Sequence, residues 1–100
     1  MSPEEAAPLL DQYRQQIDSL DIRILEILND RTRIVEKIGA VKRQAGLPVY
    51  EPKREDAVYR NVLEHNKGPL SQAAVRRLFE RIIDEMRNLQ RERNQKEIGQ

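Results

Sequence analysis

The chain contains no cysteine, and only 4% of its 100 residues are aromatic. Without cysteine it cannot form disulfides, thiolate zinc sites or a thiol nucleophile. No apolar run approaches the roughly 18 residues that a membrane span requires, and no basic stretch followed by an apolar one opens the chain. We therefore expect a cytoplasmic protein with no secretory signal and no membrane partner.

An excess of charge of one sign is also lacking. The 18 Lys and Arg residues are balanced by 17 Asp and Glu residues, so the formal net charge is +1. Proteins that bind nucleic acid or anionic membranes usually carry a basic excess. The arginine-rich region from Arg76 to Arg93 is interspersed with acids and has no aromatic platform, so we expect no nucleic-acid partner.

Groups that hold metals or phosphates are scarce as well. His65 is the single histidine, and one histidine without a second ligand type nearby favours neither a metal site nor a histidine-based nucleophilic mechanism. The chain has no glycine-rich phosphate loop. The sequence therefore predicts no metal and no cofactor.

The length of the chain allows one small domain, which we predict over residues 1–100. Within it, apolar residues recur at regular intervals over a long segment. From Leu9 to Val41 there is no proline, and Gly39 is the only glycine. Apolar residues recur there at steps of three and four, which indicates a heptad-like stripe on one long helix. The stripe consists of Leu10, Tyr13, Ile17, Leu20, Ile24, Ile27, Ile34, Ile38 and Val41.

Two further helices are marked by their start and stop signals. Pro52 suits a first helical position, and Gly68-Pro69 would end the helix that it opens. Ser71 is a predicted N-cap for the next helix, whose apolar stripe stops at Gln90, after which we expect fraying. The sequence thus predicts an all-α fold with helices over about 5–43, 52–66 and 71–93.

The first helix is too long to be buried by its own chain. At about 38 residues it would extend roughly 57 Å, whereas a compact chain of this length has a radius of gyration near 13 Å. A second copy is the simplest partner for the stripe, so we predict an intertwined homodimer. The alternative is a helix that breaks near Asn29-Asp30 and folds into a monomeric bundle.

Three cations of the first helix point to an anionic ligand. Arg31 occupies a missing step of the stripe, and Lys42 lies about 20° around and roughly 16 Å along the helix from it. Arg14 is roughly 25 Å from Arg31 along the axis, but the partner's Arg14 could approach both cations in an antiparallel dimer. Three converging cations suit a dianion. Alternatively, all three are solvated surface cations.

Polar residues on the other two helices can likewise be interpreted either as ligand-binding residues or as ordinary structural ones. Gln90 lies one turn after Met86 on the apolar side of the third helix, where a core residue is expected. The simpler interpretation is a boundary glutamine near a fraying end. Arg54 and Glu55 lie in the first turn of the second helix, where dipole complementarity and an exposed ion pair suffice to explain them.

The order and spacing of these segments resemble the all-helical chorismate mutase family over about Leu9 to Gln90. The matching elements are Leu9-Leu10 to Arg14, Ile17 to Asp21, Arg31, Ile38 to Lys42, Pro48 to Glu55, and Leu78-Phe79 to Gln90. The resemblance implies three helices per chain, an intertwined homodimer with two equivalent active sites, and the rearrangement of chorismate to prephenate in phenylalanine and tyrosine biosynthesis. That isomerisation requires no metal or cofactor.

The resemblance also assigns roles to the charged residues. The partner's Arg14, together with Arg31 and Lys42, would hold the two carboxylates of chorismate. Lys42 and Gln90 would hydrogen-bond the ether oxygen. Glu55 would bind the ring hydroxyl.

The remaining site residues would shape the cavity. The backbone near Glu51 would assist Glu55, Arg54 would line the site and orient its neighbours, and Ile38 and Ile83 would form apolar walls. Glu51 stands where the family commonly has aspartate, and Met86 stands where some relatives carry a small polar residue. These two departures affect fine substrate contacts rather than the reaction class.

The loop from His65 to Pro69 resembles that of family members fused to DAHP synthase, which makes the first seven-carbon sugar acid of the shikimate route. The resemblance therefore implies a DAHP synthase as a fused or associated partner, although we expect none within these 100 residues. An alternative function is a non-catalytic or weakly catalytic ligand-sensing dimerisation domain of a shikimate-pathway enzyme. A third alternative function is that of a coiled-coil adaptor or a weak nucleic-acid binder.

Overall fold

The computed structural model describes residues 1–98, which form three α-helices and no strand. The helices are α1 (Pro3–Ala45), α2 (Pro52–His65) and α3 (Gln72–Ile98). The predicted all-α class with one very long first helix is confirmed. Residues 99 and 100 of the predicted domain lie outside the described residues.

The chain has two parts, Met1–Ile34 and the residues from Val35 onward. The first part is helical from Pro3, where Ser2 Oγ accepts a hydrogen bond from the amide of Glu5 at 3.1 Å. This contact satisfies one of the amides that a helix start leaves unpaired. The helix runs through the Asn29-Asp30 position without interruption, so the alternative of a break there is wrong.

The end of α1 is set by Gly46. This glycine has φ +68°, a left-handed conformation that residues with a Cβ rarely adopt. The amide of Leu47 donates to the carbonyl of Lys42 at 2.8 Å, and the amide of Gly46 donates to that of Arg43 at 3.4 Å. The two bonds form a Schellman-type cap. The chain therefore turns at Gly46, directly after Ala45, the last residue of α1.

The turn between α2 and α3 is held by polar side chains. Asn66 Nδ2 donates to the carbonyl of Leu70 at 2.9 Å and to Gln72 Oε1 at 2.7 Å. The amide of Ala74 donates to Ser71 Oγ at 3.1 Å, so the predicted N-cap of α3 is present. Together these bonds orient α3 so that it returns alongside α2.

The third helix extends beyond the predicted residue 93, and it continues through the segment after Gln90 that was expected to fray. Arg93 Nη2 lies 3.0 Å from Glu36 Oε2, and Arg43 Nη1 donates to Asn94 Oδ1 at 3.4 Å. These contacts with the C-terminal turns of α1 support the last turns of α3. The prediction from the apolar pattern did not include these last turns, because the contacts that support them are polar.

The buried apolar residues of the second part include Val35, Val75 and Ile83. By contrast, every residue of the predicted α1 stripe is at least 45% exposed within the single chain. None of the helices in residues 1–98 is long and apolar enough to cross a membrane. A large apolar surface along α1 is therefore left uncovered by the chain itself.

Candidate active site

Lys42 lies in the last turns of α1, and its ammonium group is enclosed by polar partners. Its side chain is only 11% exposed. Nζ donates to the carbonyl oxygen of Val49 at 3.0 Å and to Gln90 Oε1 at 3.5 Å, and it lies 2.7 Å from Glu51 Oε1. Three acceptors match the three N–H groups of an ammonium, which compensates for the cost of burying it.

Gln90 reaches Lys42 from α3. The residue is 8% exposed, so its interpretation as a boundary glutamine at a fraying end is wrong. A Cβ built on Gly39 would lie 3.6 Å from Gln90 Cγ. That distance is an ordinary van der Waals separation, so Gly39 lies on the face of α1 that packs against the Gln90 side chain.

A second polar contact lies one helical turn earlier on α3, between Arg87 and Glu55. Arg87 Nη2 donates to Glu55 Oε1 at 2.7 Å and to Oε2 at 2.9 Å, and Arg87 Nε donates to Oε2 at 3.1 Å. Both side chains are largely buried, with exposed fractions of 23% and 21%. Glu55 thus forms a bidentate pair with α3 and not the exposed ion pair proposed in the simpler interpretation.

The guanidinium of Arg87 is fixed by further neighbours. Its Cζ lies 5.1 Å from the centroid of the Tyr50 ring, within the range of a cation–π contact. Nη1 lies 3.7 Å from Asp84 Oδ1. The hydrogen bond with Glu55 raises the pKa of Arg87 above its ordinary value, outweighing the opposing effect of burial.

Arg87 was not among the residues predicted from the sequence. The missed signal is its spacing. It lies four residues after Ile83 and three before Gln90, so it occupies a position of the same apolar face. A cation at such a position needs a partner when the face is buried.

The other predicted site residues differ in their exposure and in the part of the chain to which they belong. Ile83 is buried and Met86 is half-buried, both on α3. Ile38 on α1 and Arg54 on α2 are exposed. Arg14 is exposed and Arg31 is half-buried, and both belong to the first part of the chain, Met1–Ile34.

The second part of the chain therefore brings Lys42, Gln90 and Glu51 together, with the Glu55–Arg87 pair one turn of α3 away. A buried ammonium beside an amide provides donor groups for an oxygen that carries negative charge. Among the side chains that the structure describes, those of residues 1–96, no cluster of three or more His, Asp or Glu could hold a metal ion. The arrangement is suited to binding and polarising an oxygen-rich anion.

Comparison with known proteins identifies the class of protein that has this fold and these site residues. Residues 13–91 match the family model of chorismate mutase type II. The chain belongs to this family. The family resemblance derived from the sequence is thereby confirmed.

Individual relatives agree with this result. The chain is 42% identical over 77 residues to a bifunctional chorismate mutase/prephenate dehydratase of Neisseria gonorrhoeae, covering 77% of this chain and 21% of that protein. It is 26% identical over 87 residues to a chorismate mutase of Methanocaldococcus jannaschii, covering 83% and 85% of the two chains. A chorismate mutase structure from Thermus thermophilus superposes with a TM-score of 0.80 at 32% identity, covering 82% of this chain and 93% of that one.

The bifunctional relatives correct one expectation. The chain spans about a fifth of the length of the Neisseria protein and about a quarter of a similar protein of Aquifex aeolicus. The second activity in both names is that of a prephenate dehydratase and not of a DAHP synthase. The inference of a synthase partner rested on a short loop, which evolves with few packing constraints and is a weak indicator of the neighbouring domain.

Proposed function

We propose that this chain is a chorismate mutase, an isomerase that converts chorismate to prephenate in phenylalanine and tyrosine biosynthesis. Membership of the chorismate mutase type II family supports the reaction class. The single observation that carries the proposal is the buried contact between Lys42 and Gln90. We also propose the cytoplasm as its location.

The chemistry of the reaction suits these two residues. In the rearrangement one C–O bond breaks while one C–C bond forms within the same molecule, so no nucleophile or proton relay is required. Negative charge grows on the ether oxygen as the C–O bond lengthens. The ammonium of Lys42 and the amide of Gln90 donate to that oxygen and stabilise the charge more strongly in the transition state than in the ground state.

Binding of the substrate carboxylates is the second requirement. Arg31 and Lys42, with the partner's Arg14, hold the two carboxylates so that the enolpyruvyl arm lies over the ring in its reactive conformation. The carboxylate of Glu51 lies 2.7 Å from Lys42 Nζ. A substrate carboxylate takes over part of this contact when it binds.

The ring end of the substrate is proposed to face α2 and α3. Glu55 accepts a hydrogen bond from the ring hydroxyl, assisted by the backbone near Glu51. Arg54 lines the site. The apolar walls, which exclude water and strengthen the polar contacts, are formed by Ile38, Ile83 and Met86.

We further propose that the enzyme is an intertwined homodimer. The exposed stripe of α1 supports this assembly, since a contiguous apolar surface of this kind marks an interaction site. A second copy presents the same stripe, and two copies related by a twofold axis bury it mutually. In such a dimer the partner's Arg14 completes each site.

The direct test follows the absorbance of chorismate with purified protein. We expect loss of chorismate and appearance of prephenate without added metal or cofactor. Binding of a bicyclic transition-state mimic without any turnover would replace this proposal with a ligand-sensing role. If the protein neither binds the mimic nor consumes chorismate, the proposed function is wrong.

A further inference from the structure

The carboxylate of Glu55 is held on both of its oxygens by Arg87. Arg87 donates three hydrogen bonds to its two oxygens, at 2.7, 2.9 and 3.1 Å. Bidentate arginine–carboxylate pairs restrict the plane of the carboxylate as well as its position. Glu55 lies on α2 and Arg87 on α3, so the orientation of the carboxylate is set from the neighbouring helix.

Arg87 itself has little freedom to move. Tyr50 packs on its guanidinium at 5.1 Å, and Asp84 lies 3.7 Å from Nη1. Tyr50 belongs to the segment that also carries Val49 and Glu51, both of which contact Lys42. Arg87 therefore connects the orientation of Glu55 to the same segment that surrounds the ammonium.

The paired carboxylate retains capacity to accept another hydrogen bond. A carboxylate offers about four lone-pair sites, and only two nitrogens of Arg87, Nε and Nη2, donate to it. Acceptor capacity therefore remains for a ligand, and its direction is determined by the guanidinium.

We propose that Arg87 is a positioning residue that aims this remaining acceptor site of Glu55 at the ring hydroxyl of the substrate. The inference rests on the proposed function and deepens it, because it names the group that makes the site selective for a hydroxylated ring. Arg87 does not contact the reacting atoms. It acts only through Glu55.

The competing explanation is that the pair merely fastens α2 to α3. If the contact only fastens the two helices, its loss would weaken the binding of all ligands of the site to a similar extent. If the contact aims Glu55, its loss would weaken the binding of only those ligands that carry the ring hydroxyl. The two explanations therefore differ in ligand selectivity and not simply in activity.

The test measures inhibition by two bicyclic transition-state mimics that differ only in the presence of the ring hydroxyl. A hydrogen bond to a charged group corresponds to a preference of about ten- to a hundredfold, which we expect for the unmodified chain. In Arg87→Met we expect the preference to fall below about threefold while affinity for the deoxy mimic is retained. Arg87→Lys keeps the charge but loses the bidentate geometry, so we expect an intermediate preference.

Arg76→Met is the matched control. Arg76 also packs on a tyrosine, with its Cζ 4.3 Å from the Tyr59 ring centroid, and its Nε lies 3.3 Å from Glu80 Oε1. Because this pair lies outside the proposed site, Arg76→Met should leave the hydroxyl preference unchanged. A loss of preference in this control as large as that in Arg87→Met would overturn the inference.

Further outcomes separate the inference from the proposed function. If Glu55→Gln abolishes the preference and adding Arg87→Met then changes nothing more, Arg87 acts through Glu55 as proposed. Equal weakening of both mimics in Arg87→Met, or full preference in Arg87→Lys together with normal turnover, would refute the aiming role. Failure of the unmodified chain to consume chorismate or bind either mimic would instead refute the proposed function. Should Arg87→Met not fold, as judged by circular dichroism, the Arg87→Lys result decides.

Discussion

At the scale of single residues, the most informative feature is a charge in a buried position. The ammonium of Lys42 meets a carbonyl, an amide and a carboxylate within 3.5 Å. A buried ammonium is costly unless its donors are satisfied. The buried ammonium lies where the proposed reaction needs a positive charge beside an oxygen.

The first prediction concerns this ammonium. In Lys42→Ala we expect kcat to fall by about a hundred- to a thousandfold, or about 3 kcal/mol, because one donor to the developing oxyanion is lost. Steady-state kinetics with chorismate measures the effect. Glu51→Ala is the comparison variant, since the Glu51 side chain is 46% exposed and donates no hydrogen bond to the ether oxygen, so we expect a much smaller loss of kcat. An unchanged kcat with a raised KM in Lys42→Ala would show that the lysine only binds substrate.

At the scale of helices, the ends are determined by short-range chemistry. Gly46 terminates α1, Pro52 opens α2, and Ser71 caps α3. Each of these signals is local and was recognisable in the sequence. The end of α3 was not recognisable in the sequence, because Arg93 and Asn94 contact α1 residues that are far away in the chain.

The second prediction tests one of these ends. In Ser71→Ala the free energy of unfolding should drop by about 1 kcal/mol, because the amide of Ala74 loses its acceptor. Thermal or urea unfolding followed by circular dichroism measures it. Ser19→Ala, in the exposed interior of α1, is the control and should be neutral or slightly stabilising. Equal effects at both positions would mean that the cap contributes nothing.

At the scale of the whole molecule, the apolar stripe of α1 dominates. Its residues are exposed in the single chain, and exposed apolar area of this extent favours association, at about 25 cal/mol per Å² buried. The proposed dimer accounts for this surface and for the position of Arg14.

The third prediction is that Leu20→Glu weakens the dimer. Leu20 is 46% exposed and lies on the stripe, so a carboxylate there would be buried between copies. Ile22→Glu is the control, because Ile22 is 59% exposed but lies about 200° around the helix from Leu20. Sedimentation velocity should show monomer for the first variant and dimer for the second. A dimer that tolerates Leu20→Glu as well as Ile22→Glu would exclude the stripe as the interface.

The fourth prediction concerns donation of Arg14 across chains. Arg14→Ala and Arg31→Ala should each be inactive alone, whereas their mixture should recover about a quarter of the unmodified activity. Half of randomly exchanged dimers are mixed, and each mixed dimer contains one intact site. Chorismate consumption after subunit exchange measures the recovery. No recovery in demonstrated heterodimers would place both arginines in the same chain's site.

Local patterns along the chain were sufficient to predict the all-α class, the long first helix and membership of the family. Helical periodicity and capping residues act within a few positions along the chain, so a linear reading detects them. Tertiary structure alone decided that Gln90 is buried against Lys42 and that Glu55 is clamped by Arg87. Those partners are 48 and 32 residues apart, and which polar groups meet across such distances depends on how helices pack together.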